Sequence, residues 1–372
     1  MKLRCISCEK RHPSDGVTLT CPSCRGLLEV EVPLPYRPKF VGRGVWRYAQ
    51  LLPVKQEVTL GEGDTRLYRC SRAGMRSLWV KCEGGNPTGS FKDRGMTVGV
   101  SLAKRLRRKI LVCASTGNTA ASLAAYAARA GLRAVVLLPA GKVATGKVAQ
   151  AVIHGAELVQ IQGNFDVAMA LVRGLEREGH VYILNSLNPY RLEGQKTLAF
   201  EVCEELSRAP DFVVLPVGNG GNVSAIWKGF REWKAMGLCG RLPKMIGVQA
   251  KGAAPLLAGH AISHPQTVAT AICIGDPVNA SKALAAIRES RGRVVTVSDR
   301  EILDAQQWFA RTEGIFVEPA SAAPIAFLRR QPLRGIVVAV TTGHGLKDPD
   351  AVPRLRVRRI RPTLDALRKV LE

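Results

Sequence analysis

The chain has 372 residues, 46% hydrophobic and 5% aromatic, with 36 Gly and 21 Pro scattered along it. That is apolar content for a large core in two lobes or more, too much for a disordered chain, and no apolar run approaches the ~20 residues of a membrane span. Lys and Arg outnumber Asp and Glu by 54 to 30, a formal net charge of +24; this favours anionic ligands, admits nucleic acid as a partner, or reads as a solvated surface bias, and no arginine run with interleaved aromatics for stacking bases accompanies it.

The N-terminus runs directly into a cysteine motif with no signal-peptide apolar region, so a soluble cytoplasmic protein is expected. Cys5, Cys8, Cys21 and Cys24 form two C-x2-C pairs twelve residues apart, the spacing of a zinc ribbon in which four thiolates hold one structural ion. The other six cysteines are isolated, several in apolar stretches where a reduced thiol packs as a small hydrophobe. Residues 1–30 are therefore read as a zinc-ribbon-like segment. A proline-rich stretch follows at 33–38, then a short helix over 46–51 and a glycine-rich loop over 60–65, so 31–77 reads as a linker and the N-terminal part of a larger lobe.

From residue 77 onward strands and helices alternate. Strands are predicted over 77–82, 110–114, 134–138, 157–161, 181–184, 212–216, 244–249 and 336–341. Helices are predicted over 92–107, 119–130, 145–154, 165–178, 194–206, 223–236 and 363–371. This alternation implies an α/β protein with mostly parallel sheets flanked by helices, divided into a smaller lobe over 78–185 and a larger one over 186–372.

In such sheets, ligands bind where strand ends meet helix starts, and four of those loops carry unusual residues. Asn86-Pro87-Thr88-Gly89-Ser90-Phe91-Lys92 puts a lysine at a helix N-terminus, where the dipole lowers its pKa and favours imine chemistry; beside Asp93 and Arg94 it also reads as a surface lysine. Ser115-Thr116-Gly117-Asn118-Thr119 offers hydroxyls and free N–H groups to a carboxylate, or is an ordinary capped turn. Gly218-Asn219-Gly220-Gly221-Asn222 follows a strand and lets the backbone close on a phosphate, and it is not the GxGxxG dinucleotide pattern. Thr341-Thr342-Gly343-His344-Gly345 places a hydroxyl at a strand end, within reach of a ring nitrogen or merely satisfying backbone.

Together and in this order, these loops resemble the β-family (fold type II) of pyridoxal-phosphate enzymes, and within it the threonine synthases. The similarity runs from about residue 46 to 349 and includes Gly61-Glu62-Gly63-Asp64-Thr65, the stretches 86–96, 114–122, 185–197 and 343–350, and Val317-Glu318-Pro319-Ala320-Ser321-Ala322. Within it, Asn188-Pro189-Tyr190-Arg191-Leu192-Glu193-Gly194-Gln195-Lys196-Thr197 is the part most particular to threonine synthases. Arg66 departs from the family, which usually has proline there.

The resemblance implies pyridoxal phosphate as cofactor and a two-lobed fold type II architecture. It makes Lys92 the residue that carries the cofactor and shuttles protons, puts Asn118 on its 3′-oxygen and Thr342 opposite its pyridine nitrogen, and wraps Gly218, Asn219, Gly220, Gly221 and Asn222 around its phosphate. Ser115, Thr116 and Thr119 would receive the substrate carboxylate, and Asn185, Ser186 and Arg191 the phosphate of O-phospho-L-homoserine, which water converts to threonine and phosphate by β,γ-replacement. A neutral hydroxyl opposite the ring nitrogen makes a weaker electron sink than a carboxylate and suits elimination. Two other readings stand beside this one. A cysteate-synthase-like paralogue would use O-phosphoserine and a sulfur nucleophile; a basic zinc-ribbon nucleic-acid-binding protein would carry an inactive enzyme domain, against which the intact Lys92, Asn118, glycine loop and Thr342 argue. A homodimer is expected.

Overall fold

Strands with no polar face form sheets that must be covered on both sides, and the apolar runs of this chain do so. The computed structural model describes residues 1–75, 77–115, 117–139, 145–162, 171, 174–175, 179, 181–351 and 359–371. Strands β1 (Lys2–Cys5), β2 (Arg11–Pro13) and β3 (Leu28–Glu31) make a small antiparallel sheet in the order β2-β1-β3. Strands β4 (Leu67–Arg69) and β5 (Leu78–Cys82) are followed by β6 (Ile110–Ala114), β7 (Arg133–Pro139), β8 (Glu157–Ile161) and β9 (Tyr182–Ile183). The last four strands are β10 (Phe212–Pro216), β11 (Lys244–Ala250), β12 (Arg293–Val297) and β13 (Val337–Thr341).

The larger sheet has the order β12-β11-β10-β13-β5-β4, parallel except for β4, and the smaller has the order β8-β7-β6-β9, parallel throughout. β5 lies at the start of the segment 78–185 but pairs with β13, so the smaller sheet begins only at Ile110, after the Lys92–Arg105 helix has carried the chain across. The ends of β5, β6, β9, β10 and β13 lead into the loops that hold Lys92, Ser115, Asn185, Gly218 and Thr342. None of the described helices is long and apolar enough to cross a membrane.

Several elements differ from the sequence reading for local reasons. The helix predicted over 194–206 is two, Pro189–Gln195 and Thr197–Leu206; the first starts early because the Asn188 side chain accepts the Tyr190 N–H and proline stands at its first turn. Helices over Ala280–Glu289, Asp299–Glu313 and Pro319–Arg330, with β12 among them, fill a region for which no elements were predicted. A capping box between Ser298 and Glu301 marks one of their starts. The helix predicted over 165–178 lies outside the described residues except at 171, 174 and 175, which are helical.

Beneath the Lys92 helix, the fully buried Arg94 guanidinium donates to Glu83 at 2.6 and 2.8 Å and to Glu201 at 2.6 and 2.7 Å. Glu201 also pairs with buried Lys81 at 2.9 Å. Removing one partner of such a pair leaves an uncompensated buried charge, so Arg94→Met should cost about 3–5 kcal/mol in denaturant unfolding. Arg133→Ala, which breaks the exposed pair with Glu157, should leave the unfolding midpoint essentially unchanged in the same measurement.

Candidate active site

Lys92 opens its helix directly after the Gly89-Ser90-Phe91 turn. That turn is pinned to the end of β13: the Phe91 N–H donates to Thr342 O (3.0 Å), and Ser90 bridges Gly343. Lys347 ties the same turn to the smaller lobe, donating to Thr88 O and to Gln150 Oε1, each at 2.6 Å.

Across from Lys92, the Pro189–Gln195 helix crosses at backbone distance. A Cβ on Gly194 would lie 1.8 Å from Arg94 O, and one on Gly95 would lie 2.7 Å from Arg191 O, so only glycine permits the approach. The crossing brings Arg191, 2% exposed, toward Lys92. Its Nε and one terminal nitrogen have no hydrogen-bond partner among the described residues.

Withdrawal from water, then the Arg191 charge, pushes Lys92 down to about 7, with Glu318 opposing. Burial likewise lowers Arg191 to about 10, and raises buried Glu318 against the bond it accepts from Asn118. Glu318 accepts from Asn118 Nδ2 through both oxygens, at 3.1 and 3.2 Å. Three residues on, Ser321 Oγ accepts the Gly343 N–H and meets Thr342 Oγ1, both at 2.8 Å. Ser321 is fully buried, and its contacts with Gly343 and Thr342 hold the Thr342 hydroxyl in place; either hydroxyl of that pair can be the donor.

The glycine loop starts the Gly221–Ala235 helix, whose first N–H groups have no partner within the helix. Gly220 has φ 79°, and a Cβ there would lie 2.8 Å from Asn279 O. Asn279 connects this loop to the Arg191 segment: its N–H donates to Asn219 O (3.0 Å) and its Nδ2 to Ser186 O (2.9 Å). Both polar side-chain atoms of Asn222 are buried and unpartnered among the described residues, as is Ser90 Oγ.

Lys92 thus lies near Arg191 and Glu318, Glu318 holds Asn118, Thr342 carries the turn before Lys92, and Asn279 links the 218–222 loop to the 185–191 segment; Ser115 and Thr119 flank Asn118 in the chain. Thr116 lies outside the described residues. Asn185 is committed differently from its expected role: its Oδ1 accepts Ala114 N–H (2.9 Å) and its Nδ2 donates to Ala114 O (3.0 Å), which clamps the 185–191 segment to the end of β6. Sequence reasoning passed over Glu318, Ser321 and Ser90, although the first two lie in the Glu-Pro-Ala-Ser start of a helix. Away from these loops, the sulfurs of Cys5, Cys8, Cys21 and Cys24 all lie within 4.8 Å of one another.

Residues 58–343 match the family described as pyridoxal-phosphate dependent enzyme. Threonine synthase of Methanocaldococcus jannaschii is 50% identical over 404 residues, covering 100% of both chains. That of Methanosarcina acetivorans is 54% identical, covering 94% of this chain and 93% of its own. That of Mycobacterium tuberculosis H37Rv is 51% identical, covering 82% and 88%. Among solved structures, maize serine racemase superposes with a TM-score of 0.62 at 20% identity over 76% of this chain and 88% of its own. A threonine deaminase from Solanum lycopersicum gives 0.64 at 20% identity over 92% and 97%. These two bear on the fold.

Only the neutral amine attacks an aldehyde. Capture of pyridoxal phosphate by the cofactor-free chain should therefore rise with pH through a midpoint near the Lys92 value of about 7 and level off above it. Arg191→Gln removes a neighbouring positive charge and should move the midpoint up; Glu318→Gln removes a negative one and should move it down. Stopped-flow absorbance from about pH 5 to about pH 10 measures both shifts.

Proposed function

We propose roles for the site residues from the premise that the chain belongs to the pyridoxal-phosphate-dependent enzymes and, among them, to the threonine synthases. It is a carbon–oxygen lyase, and the reaction we assign is conversion of O-phospho-L-homoserine and water to L-threonine and phosphate. The observation that carries the substrate assignment is Arg191: a buried guanidinium with two unpartnered nitrogens beside a lysine held near neutrality. A buried cation without a carboxylate is costly unless a ligand supplies the charge, and a phosphate dianion matches its planar fork.

The residues present suit the cofactor. The bare backbone at Gly218, Gly220 and Gly221 and the orphaned Asn222 amide would hold its phosphate at the start of a helix. Thr342, held by Ser321, would meet the ring nitrogen, and Asn118, held by Glu318, the 3′-oxygen. When bound, pyridoxal phosphate supplies the electron-withdrawing system that acidifies the substrate's α-proton.

Lys92 takes that proton at Nζ, which a lysine held near pH 7 does without a strong base, and then moves a proton at the β-carbon. Arg191 and Ser186 hold the phosphate as it departs from the γ-carbon with the electron pair of its C–O bond. Ser115 and Thr119, at the start of the Asn118–Ala130 helix, orient the substrate carboxylate. Asn185 acts from behind by fixing Ala114, and with it the Ser115 loop. The proton taken from the β-carbon is returned at the γ-carbon, which becomes the methyl group; water adds its hydroxyl at the β-carbon while its proton balances the departing phosphate, and Lys92 returns the α-proton.

The cysteine cluster suits one zinc ion. Four thiolates at ~2.3 Å from a tetrahedral centre lie about 3.8 Å apart, close to the 3.4 Å of Cys5–Cys24 and the 3.7 Å of Cys8–Cys21.

The holoenzyme should release phosphate and threonine in equal amounts from O-phospho-L-homoserine. It should act on O-phospho-L-serine more slowly by about ten- to two-hundredfold, the discrimination one methylene supports. Faster phosphate release from phosphoserine with a sulfur nucleophile would contradict the assignment. Lys92→Ala should abolish turnover, and elemental analysis of protein purified without chelator should find about one zinc per chain.

A further inference from the structure

The N-terminal sheet touches the elements that leave the candidate site at selected points. Tyr190, buried and next to Arg191, accepts the Gly16 N–H at its hydroxyl (2.9 Å) and pairs with Ser14 Oγ (3.3 Å). Tyr182, on β9, donates to Gly16 O at 2.9 Å. The turn at Gly16, φ 84°, sits so close to the Lys92 helix that a Cβ would lie 2.9 Å from Leu106 Cδ1.

On its other side the sheet is held by two buried lysines. The carbonyls of Leu28 and Val30, two residues apart and so on the same side of β3, accept from Lys282 (2.5 Å) and from Lys228. Lys228 also pairs with Glu193 at 2.5 Å, on the Arg191 helix, and lies on the helix that the glycine loop begins. Lys282 follows Asn279, the residue that donates to both Ser186 O and Asn219 O. The sheet's polar contacts therefore fall on residues 190 and 193, either side of Arg191, and on the two helices that begin at the phosphate loops.

We infer that the N-terminal sheet is a brace for the phosphate-binding arginine: through the Gly16–Tyr190 bond and the Val30–Lys228–Glu193 link it fixes the Pro189–Gln195 helix, and Tyr190 is the positioning residue that carries this to Arg191. Among the described residues no partner orients the Arg191 Nε or its buried terminal nitrogen, so the placement of its fork depends on the backbone that bears it, and a shift of that helix would loosen the phosphate site more than the glycine loop. This rests on the reading of Arg191 as the substrate-phosphate residue.

The test uses the full-length holoenzyme and two variants, Tyr190→Phe, which removes one hydroxyl and keeps the ring, and Lys228→Gln, which weakens the second link. Four quantities are measured: KM for O-phospho-L-homoserine, the inhibition constant of inorganic phosphate, kcat, and the dissociation constant of pyridoxal phosphate. In Tyr190→Phe, KM and the phosphate constant should rise together by about three- to tenfold, the effect of one lost buried hydrogen bond. Meanwhile cofactor affinity should stay within about twofold, a split that general destabilisation does not produce. Lys228→Gln should move the same two constants in the same direction. Unchanged phosphate constants in both folded variants, or a fall in kcat and cofactor affinity at constant KM, overturns the brace. A parent enzyme that phosphate does not inhibit competitively overturns it together with the reading of Arg191, and is seen before any variant is made.

Discussion

The site depends on the crossing of the Lys92–Arg105 and Pro189–Gln195 helices at backbone contact. Gly95 and Gly194 leave no side chain between them, and Arg191 runs past a third glycine, since a Cβ on Gly99 would lie 3.2 Å from its Cγ. With two backbones touching, a guanidinium and an ammonium occupy one water-poor space. Their repulsion, added to desolvation, holds Lys92 near pH 7. A side chain at the crossing would push Arg191 away and let Lys92 return toward its ordinary value.

The surrounding charges explain why this arrangement persists. Several buried cations elsewhere in the fold are paired with carboxylates: Arg94 has Glu83 and Glu201, Lys196 has Glu193 and Glu232, and Lys228 has Glu193, while Lys282 donates to the Leu28 carbonyl. Arg191 has none among the described residues. On the proposed reading an anionic group of the substrate supplies the missing charge, and a leaving phosphate would meet a positive group already in place. At the opposite side, Glu318 holds the Asn118 amide and Ser321 the Thr342 hydroxyl, so both side chains are positioned by the fold.

Much of this was legible in the chain. The apolar runs from 110 onward gave strand positions to within a residue or two, since a strand covered on both faces has a strong signal. Lys92, Asn118, the glycine loop and Thr342 could be singled out because each sits at the end of a strand or the start of a helix, where residue type reports on local chemistry, whereas Arg191 came only from the resemblance. The elements between 280 and 330 escaped, despite the Ser298–Glu301 capping box, because their burial is set by packing on a sheet whose strand order local pattern does not contain. Glu318 and Ser321 escaped for a related reason: a glutamate and a serine at a helix start read as caps, and only the fold shows that they face Asn118 and Thr342. The commitment of Asn185 to Ala114, and of Tyr190 to Gly16, joins residues 71 and 174 positions apart. Such pairings belong to tertiary structure.

On the proposed reading, Lys92 and Arg191 share one desolvated space that an anion completes. The direct measurement is the pKa of Lys92 in the cofactor-free chain, from the pH dependence of its chemical acetylation read by mass spectrometry, with and without saturating inorganic phosphate. Phosphate bound at Arg191 should cancel the charge that depresses the lysine and raise its pKa from about 7 by about one unit or more. A Lys92 value that stays the same while phosphate is bound would contradict the account.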